Sequence, residues 1–94
     1  MLLNSVVLTR KAKKQIKTVP PYIVLKLFDW SRQVENYGLE SVRKVKGFHD
    51  EPLKGDWKGF RSIRLSKSYR AIYKVKSERK IEFVGVEEVN KHAY

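Results

Sequence analysis

The sequence predicts an α+β domain, with an N-terminal strand and two helices, with room for a third, packed on one face of a mostly antiparallel sheet of about four strands. Three observations predict it. A Leu- and Val-rich run opens the chain. Apolar residues then recur at helical spacing through the first half, and three β-favouring segments separated by short turns fill the second half. With 94 residues the chain can build one core and not two, so a single domain over residues 1–94 is expected.

Residues 2–8 read as the first strand. Thr9 is a plausible N-cap, because its hydroxyl can accept from an early helical N–H. Ala12, Ile16 and Val19 follow at helical spacing, and Pro20-Pro21 interrupts that helix. Proline is tolerated in a first helical turn, so a second helix starts there. Ile23, Leu27, Trp30 and Val34 form its apolar stripe, widened by Val24 and Phe28, and Gly38 is its natural C-cap. Residues 39–45 allow another turn or two of helix. Residues 47–59 read as an irregular connection punctuated by Pro52, Gly55 and Gly59. Strands follow at 60–65, 69–75 and 80–89. Ile63 and Leu65 share one face of the first of these, Ser62 and Arg64 the other. Consecutive strands on short turns pair antiparallel, and one face of the sheet is left partly open.

Charge is the strongest global signal. Twenty-one Lys and Arg stand against ten Asp and Glu, a formal net of +11. On so small a domain this makes a positive field whose natural partners are polyanions. There are no cysteines, which excludes disulfides, thiolate metal ligands and cysteine nucleophiles. The N-terminus lacks the pattern of a signal peptide, and no apolar run reaches the roughly 20 residues that span a bilayer. A cytoplasmic protein with no membrane association is expected.

The candidate chemistry lies in the second half. Arg61, Arg64 and Arg70 fall on two strands joined by a tight turn, so Arg64 and Arg70 can be cross-strand neighbours. Two adjacent guanidinium groups repel unless an anion lies between them, and a phosphate suits that place because each guanidinium can donate two parallel hydrogen bonds. The plain alternative is a pair of solvated arginines. His92 and Tyr94 are brought by the last strand to the edge of the same sheet, where histidine can move a proton near neutral pH; the plain alternative is a frayed, solvent-exposed tail. Glu51 is a carboxylate in the loop leading to the arginines. His49-Asp50 lies beside it, but no second histidine stands at ligand spacing, and neither metal nor other cofactor is expected. Lys54, Trp57 and Lys58 interleave cations with an aromatic, as a single-stranded RNA surface does, although Trp57 could equally be a lid on the core. Arg10, Lys13 and Lys14 line a basic first helix, which is more often a solvated face and here could also follow ribosomal RNA.

The segment Glu51-Pro52-Leu53-Lys54-Gly55-Asp56-Trp57-Lys58-Gly59-Phe60-Arg61-Ser62-Ile63-Arg64, continued by Ser68-Tyr69-Arg70-Ala71-Ile72-Tyr73-Lys74-Val75, resembles the centre of RelE/ParE-superfamily toxins, in particular the YoeB and HigB branches. The tail Glu88-Val89-Asn90-Lys91-His92-Ala93-Tyr94 resembles a HigB-like C-terminus. The resemblance implies a RelE-like fold and the toxin of a type II toxin–antitoxin pair. It implies a metal-independent endoribonuclease that cuts translated mRNA in the ribosomal A site, the 2′-hydroxyl attacking the neighbouring phosphate. Arg64 and Arg70 then match the phosphate-binding arginines, Glu51 the general base, His92 the catalytic histidine and Tyr94 the terminal tyrosine. Lys91 could help to neutralise the phosphate. Ala93 separates the histidine from the tyrosine, where the YoeB-like branch has them adjacent, and the division of acid and base among Glu51, His92 and Tyr94 stays open. The implied partners are ribosome, mRNA and a cognate antitoxin, expected as a small helix-turn-helix DNA-binding protein. A ParE-like gyrase inhibitor on the same fold and a non-catalytic RNA- or ribosome-binding module are the alternatives.

Overall fold

A computed structural model of the chain describes residues 5–77 and 80–88. Strand β1 (Ser5–Leu8) leads into α1 (Arg10–Gln15), α2 (Pro21–Tyr37) and α3 (Leu39–Val42). Strands β2 (Glu51–Pro52), β3 (Arg61–Arg64), β4 (Tyr69–Ser77) and β5 (Lys80–Glu88) complete a sheet ordered β1-β5-β4-β3-β2. Every pairing is antiparallel except β1 with β5. The sheet thus has five strands where about four were expected, because the connection before β3 contributes the two-residue β2. Among the described residues no helix is long and apolar enough to cross a membrane.

Thr9 caps α1 as its position suggests, its Oγ1 accepting from the Ala12 N–H at 3.1 Å. The helix stops at Gln15, however, short of Val19. The residue before a proline is driven out of the α region, and the chain closes early: the Thr18 N–H and hydroxyl donate to the Gln15 carbonyl at 3.0 and 2.9 Å. Gln15 also ties α1 to the sheet, its Oε1 accepting from the Val86 N–H at 2.8 Å.

The apolar stripe of α2 packs as its spacing demands. Ile23, Leu27, Trp30 and Val34 are all fully buried. Trp30 packs against Tyr73 of β4 and Phe83 of β5, with ring centroids 5.0 and 5.2 Å away. Phe28 does not join them: it lies outside the stripe and is 44% exposed. Burial of the stripe against Ile63, Ala71, Tyr73, Ile81, Phe83 and Val86 is the main force holding helices to sheet.

A bulge in β5 keeps that core in phase. Tyr73 pairs with Phe83 but Ile72 pairs with Gly85, so β5 carries one extra residue, Val84. A regular strand would turn Phe83 and Val86, three apart, to opposite faces. The inserted residue returns Val86 to the core, and both side chains are buried.

Candidate functional site

The β3–β4 turn sets the centre of the site. The Leu65 and Ser66 N–H groups donate to the Tyr69 carbonyl at 2.9 and 3.2 Å, and the Ser66 hydroxyl accepts from the Ser68 and Tyr69 N–H groups. This turn fixes a register in which Arg64 stands directly opposite Arg70. Their neighbours Ile63 and Ala71, also paired, are fully buried in the core. Alternation therefore puts both arginines on the sheet face away from the helices.

Glu51 reaches the same face from β2. It pairs with Ser62, two residues before Arg64, so it shares that alternate position. Before it, His49 ends a single 3-10 turn (Lys46–Phe48) in the left-handed region, φ 45°. His49, Glu51, Ser62, Ile63, Arg64 and Arg70 line one open cleft. Two cations, a carboxylate and an imidazole on one concave wall can bind an anion and move protons beside it.

Asp50, between His49 and Glu51, faces the other way. Its side chain is wholly buried and lies 2.6 Å from Arg61 Nε. Its second oxygen accepts from the Tyr73 hydroxyl, also at 2.6 Å. Burial, then the hydrogen bond to Asp50 and its negative charge, push the Tyr73 hydroxyl pKa well up. Burial works against the Arg61 charge, but the hydrogen bond and charge of Asp50 outweigh it, and the Arg61 pKa is raised. This clamp pins β2 to β3 and β4 from the core side, which fixes where His49 and Glu51 emerge.

The expected site residues therefore separate into groups. Glu51, Arg64 and Arg70 come together. Arg61, expected at the RNA surface with them, does not join them. It pairs across β4 with Tyr73, on the helix side of the sheet, and is engaged by Asp50. Lys54 and Lys58 are exposed on either side of a single 3-10 turn, Gly55–Trp57. Trp57 is half-buried and stands outside the core cluster, edge-on to Phe60. Arg10, Lys13 and Lys14 are exposed on α1 and do not line the cleft. Lys91, His92 and Tyr94 lie outside the described residues.

His49 and Asp50 are the residues that the sequence pattern did not single out for these roles. One signal was available. If Glu51 in an extended segment faces the arginines, Asp50 must face the core, where a carboxylate needs a cation and a donor. Among the described residues no three His, Asp or Glu side chains gather as a metal-binding group.

Several solved structures share this fold at low sequence identity. YafQ from E. coli strain BL21(DE3) superposes with a TM-score of 0.74 at 19% identity, over 92% of this chain and 93% of its own. RelE in the archaeal RelE–RelB complex from Pyrococcus horikoshii OT3 gives 0.72 at 20% identity, over 97% and 100%. A YoeB/ParE toxin from Agrobacterium tumefaciens gives 0.66 at 22% identity, over 89% and 96%. No curated protein sequence matches. The model of the family described as the ParE toxin of the type II toxin–antitoxin system parDE matches residues 6–90, and with it the fold and the paired arginines reach one conclusion: the chain belongs to this toxin family, within the RelE/ParE superfamily.

Proposed function

We propose that the protein is a ribosome-dependent endoribonuclease that cleaves mRNA in the A site and arrests translation. The observation that carries this reading is the cross-strand pair Arg64–Arg70 in one cleft with Glu51 and His49. Arg64 and Arg70 hold the scissile phosphate and neutralise charge that builds on it. Glu51 takes the proton of the 2′-hydroxyl, whose oxygen attacks phosphorus. The bond to the 5′-oxygen breaks, and that oxygen receives a proton from His92 or Tyr94, leaving a 2′,3′-cyclic phosphate and a 5′-hydroxyl. The same carboxylate serves equally as a partner for an arginine, with His92 then the base and Lys91 a further cation. Lys54, Trp57 and Lys58 border the RNA, and Arg10, Lys13 and Lys14 follow ribosomal RNA. The cognate antitoxin is a small DNA-binding protein whose acidic or amphipathic segment meets this basic surface. Solved relatives that are complexes of RelE with RelB and of YafQ with DinJ support an antitoxin partner.

Expression from a tightly controlled promoter, with mRNA 5′ ends mapped during growth arrest, tests the reading. Cuts within translated codons, lost in His92→Ala, are expected. A second reading, a gyrase inhibitor that leaves RNA intact, is favoured by the ParE family match. Arrest with uncut mRNA and an induced DNA-damage response would establish it instead.

A further inference from the structure

We propose that Trp57, Phe60 and Lys74 form a stacking subsite for a base of single-stranded RNA flanking the nucleotide at the arginine pair. The proposal rests on the RNA-cleaving reading. Phe60 extends the β3 ladder, its carbonyl accepting from the Leu53 N–H at 2.9 Å. Alternation then sets Phe60 on the face of Ser62 and Arg64. Lys74 lies on that face too, four residues beyond Arg70 on β4, and its Nζ sits 5.5 Å from the centre of the Phe60 ring. Trp57 meets Phe60 edge to face, centroids 5.3 Å apart and planes at 81°.

Three features point to a base. Among the described residues, Trp57 and Phe60 lie outside the core cluster. Lys74 brings a cation to the aromatic pair, and Lys54 and Lys58 flank it. Aromatic rings set among cations are the platform on which single strands stack without sequence preference. The distance fits a neighbouring nucleotide: from Phe60 to Arg64 the strand rises about 13 Å, at roughly 3.3 Å per residue. The route runs over β2 past Glu51, which is exposed, because Ser62 on β3 and Ile72 on β4 are only 4% and 1% exposed.

The test titrates the full chain with a 2′-O-methyl single-stranded RNA of about eight nucleotides, which cannot be cut. Binding is read by anisotropy of the RNA, and stacking by tryptophan emission. Trp30 is fully buried, so emission that changes on binding and is absent from Trp57→Phe belongs to Trp57. Saturable quenching is expected, with Kd raised roughly tenfold in Trp57→Ala and less in Trp57→Phe, which keeps a ring. Phe60→Ala and Lys74→Ala are expected to weaken binding severalfold. Arg64→Ala combined with Arg70→Ala should abolish cleavage yet keep Trp57 quenching at saturating RNA, which separates this subsite from the cleavage reading. Binding without any change in Trp57 emission, or with unchanged Kd in Trp57→Ala, would overturn the proposal. So would undetectable binding at millimolar RNA. Trp57 emission that ignores RNA but responds to the antitoxin would assign the platform to protein docking and overturn it equally.

Discussion

The Asp50 carboxylate, wholly buried, lies 2.6 Å from the Arg61 guanidinium and anchors the shortest strand of the sheet. Two residues of β2 cannot hold an edge on two backbone pairings alone. The ion pair and the Tyr73 hydroxyl do so from beneath, and the residues on either side of Asp50 are those that line the cleft.

Asp50→Ala is therefore expected to destabilise the fold by about 3 kcal/mol, because it strands a half-buried guanidinium and a buried phenol. Asp50→Asn should cost less, since the amide oxygen still accepts from Tyr73. Urea unfolding measures both. A midpoint for Asp50→Ala equal to that of the parent would show that the clamp does not hold the sheet.

Tyr73 gives the fold a pH limit on the alkaline side. Its pKa in the folded chain is raised above the ordinary value near 10. Between those two values the unfolded chain has released the proton and the folded chain has not. The stabilisation is therefore complete below pH 10 and is lost as pH rises beyond it. Stability should fall from about pH 10 upward, and the phenolate absorbance of Tyr73 should appear only with unfolding. In Tyr73→Phe, weaker by about 1 kcal/mol for its lost hydrogen bond, the fall should be shallower.

Removing either cleft arginine should silence the chemistry. Arg64→Ala or Arg70→Ala is expected to lower cleavage on the ribosome by 10²–10³-fold, the usual loss of one donor to a developing oxyanion, about 3–4 kcal/mol. Arg64 is exposed, so Arg64→Ala should leave Tm nearly unchanged, and a large drop would mark it as structural.

The α1 cations should act through charge alone. Replacing Arg10, Lys13 and Lys14 together by Ala is expected to weaken ribosome binding and to reduce the slope of log K against log salt by about 2. Their removal should leave Tm nearly unchanged, because all three are exposed. An unaltered salt slope would take this helix out of the RNA contact.

What could be read from the sequence was what depends on neighbours in the chain. The α2 stripe, the Thr9 cap and the Arg64–Arg70 hairpin each lie within a few residues, where helical spacing, capping chemistry or a tight turn decides the outcome. The parts that were missed depend on residues far apart. Asp50 meets Arg61 and Tyr73 across 11 and 23 residues, so nothing beside it announces its burial. The bulge at Val84 is set by which residues must face Trp30, and β2 exists only because β3 offers it an edge. Arg61 looked like its neighbours Arg64 and Arg70, and its place in the β3 alternation is what separates it from them.

The parallel pairing of β1 with β5 also governs when this fold can exist during synthesis. Ser5 is registered with Lys80 and Leu8 with Phe83, so β1 has no sheet partner until β5 has been translated. Contacts this distant along the chain slow folding. A nascent chain that has emerged only as far as β4 can form the α2 helix but not the completed sheet. For a protein whose cleft is proposed to act on translating ribosomes, that delay separates the making of its first strand from the completion of its sheet, and leaves an interval in which a partner can reach it first.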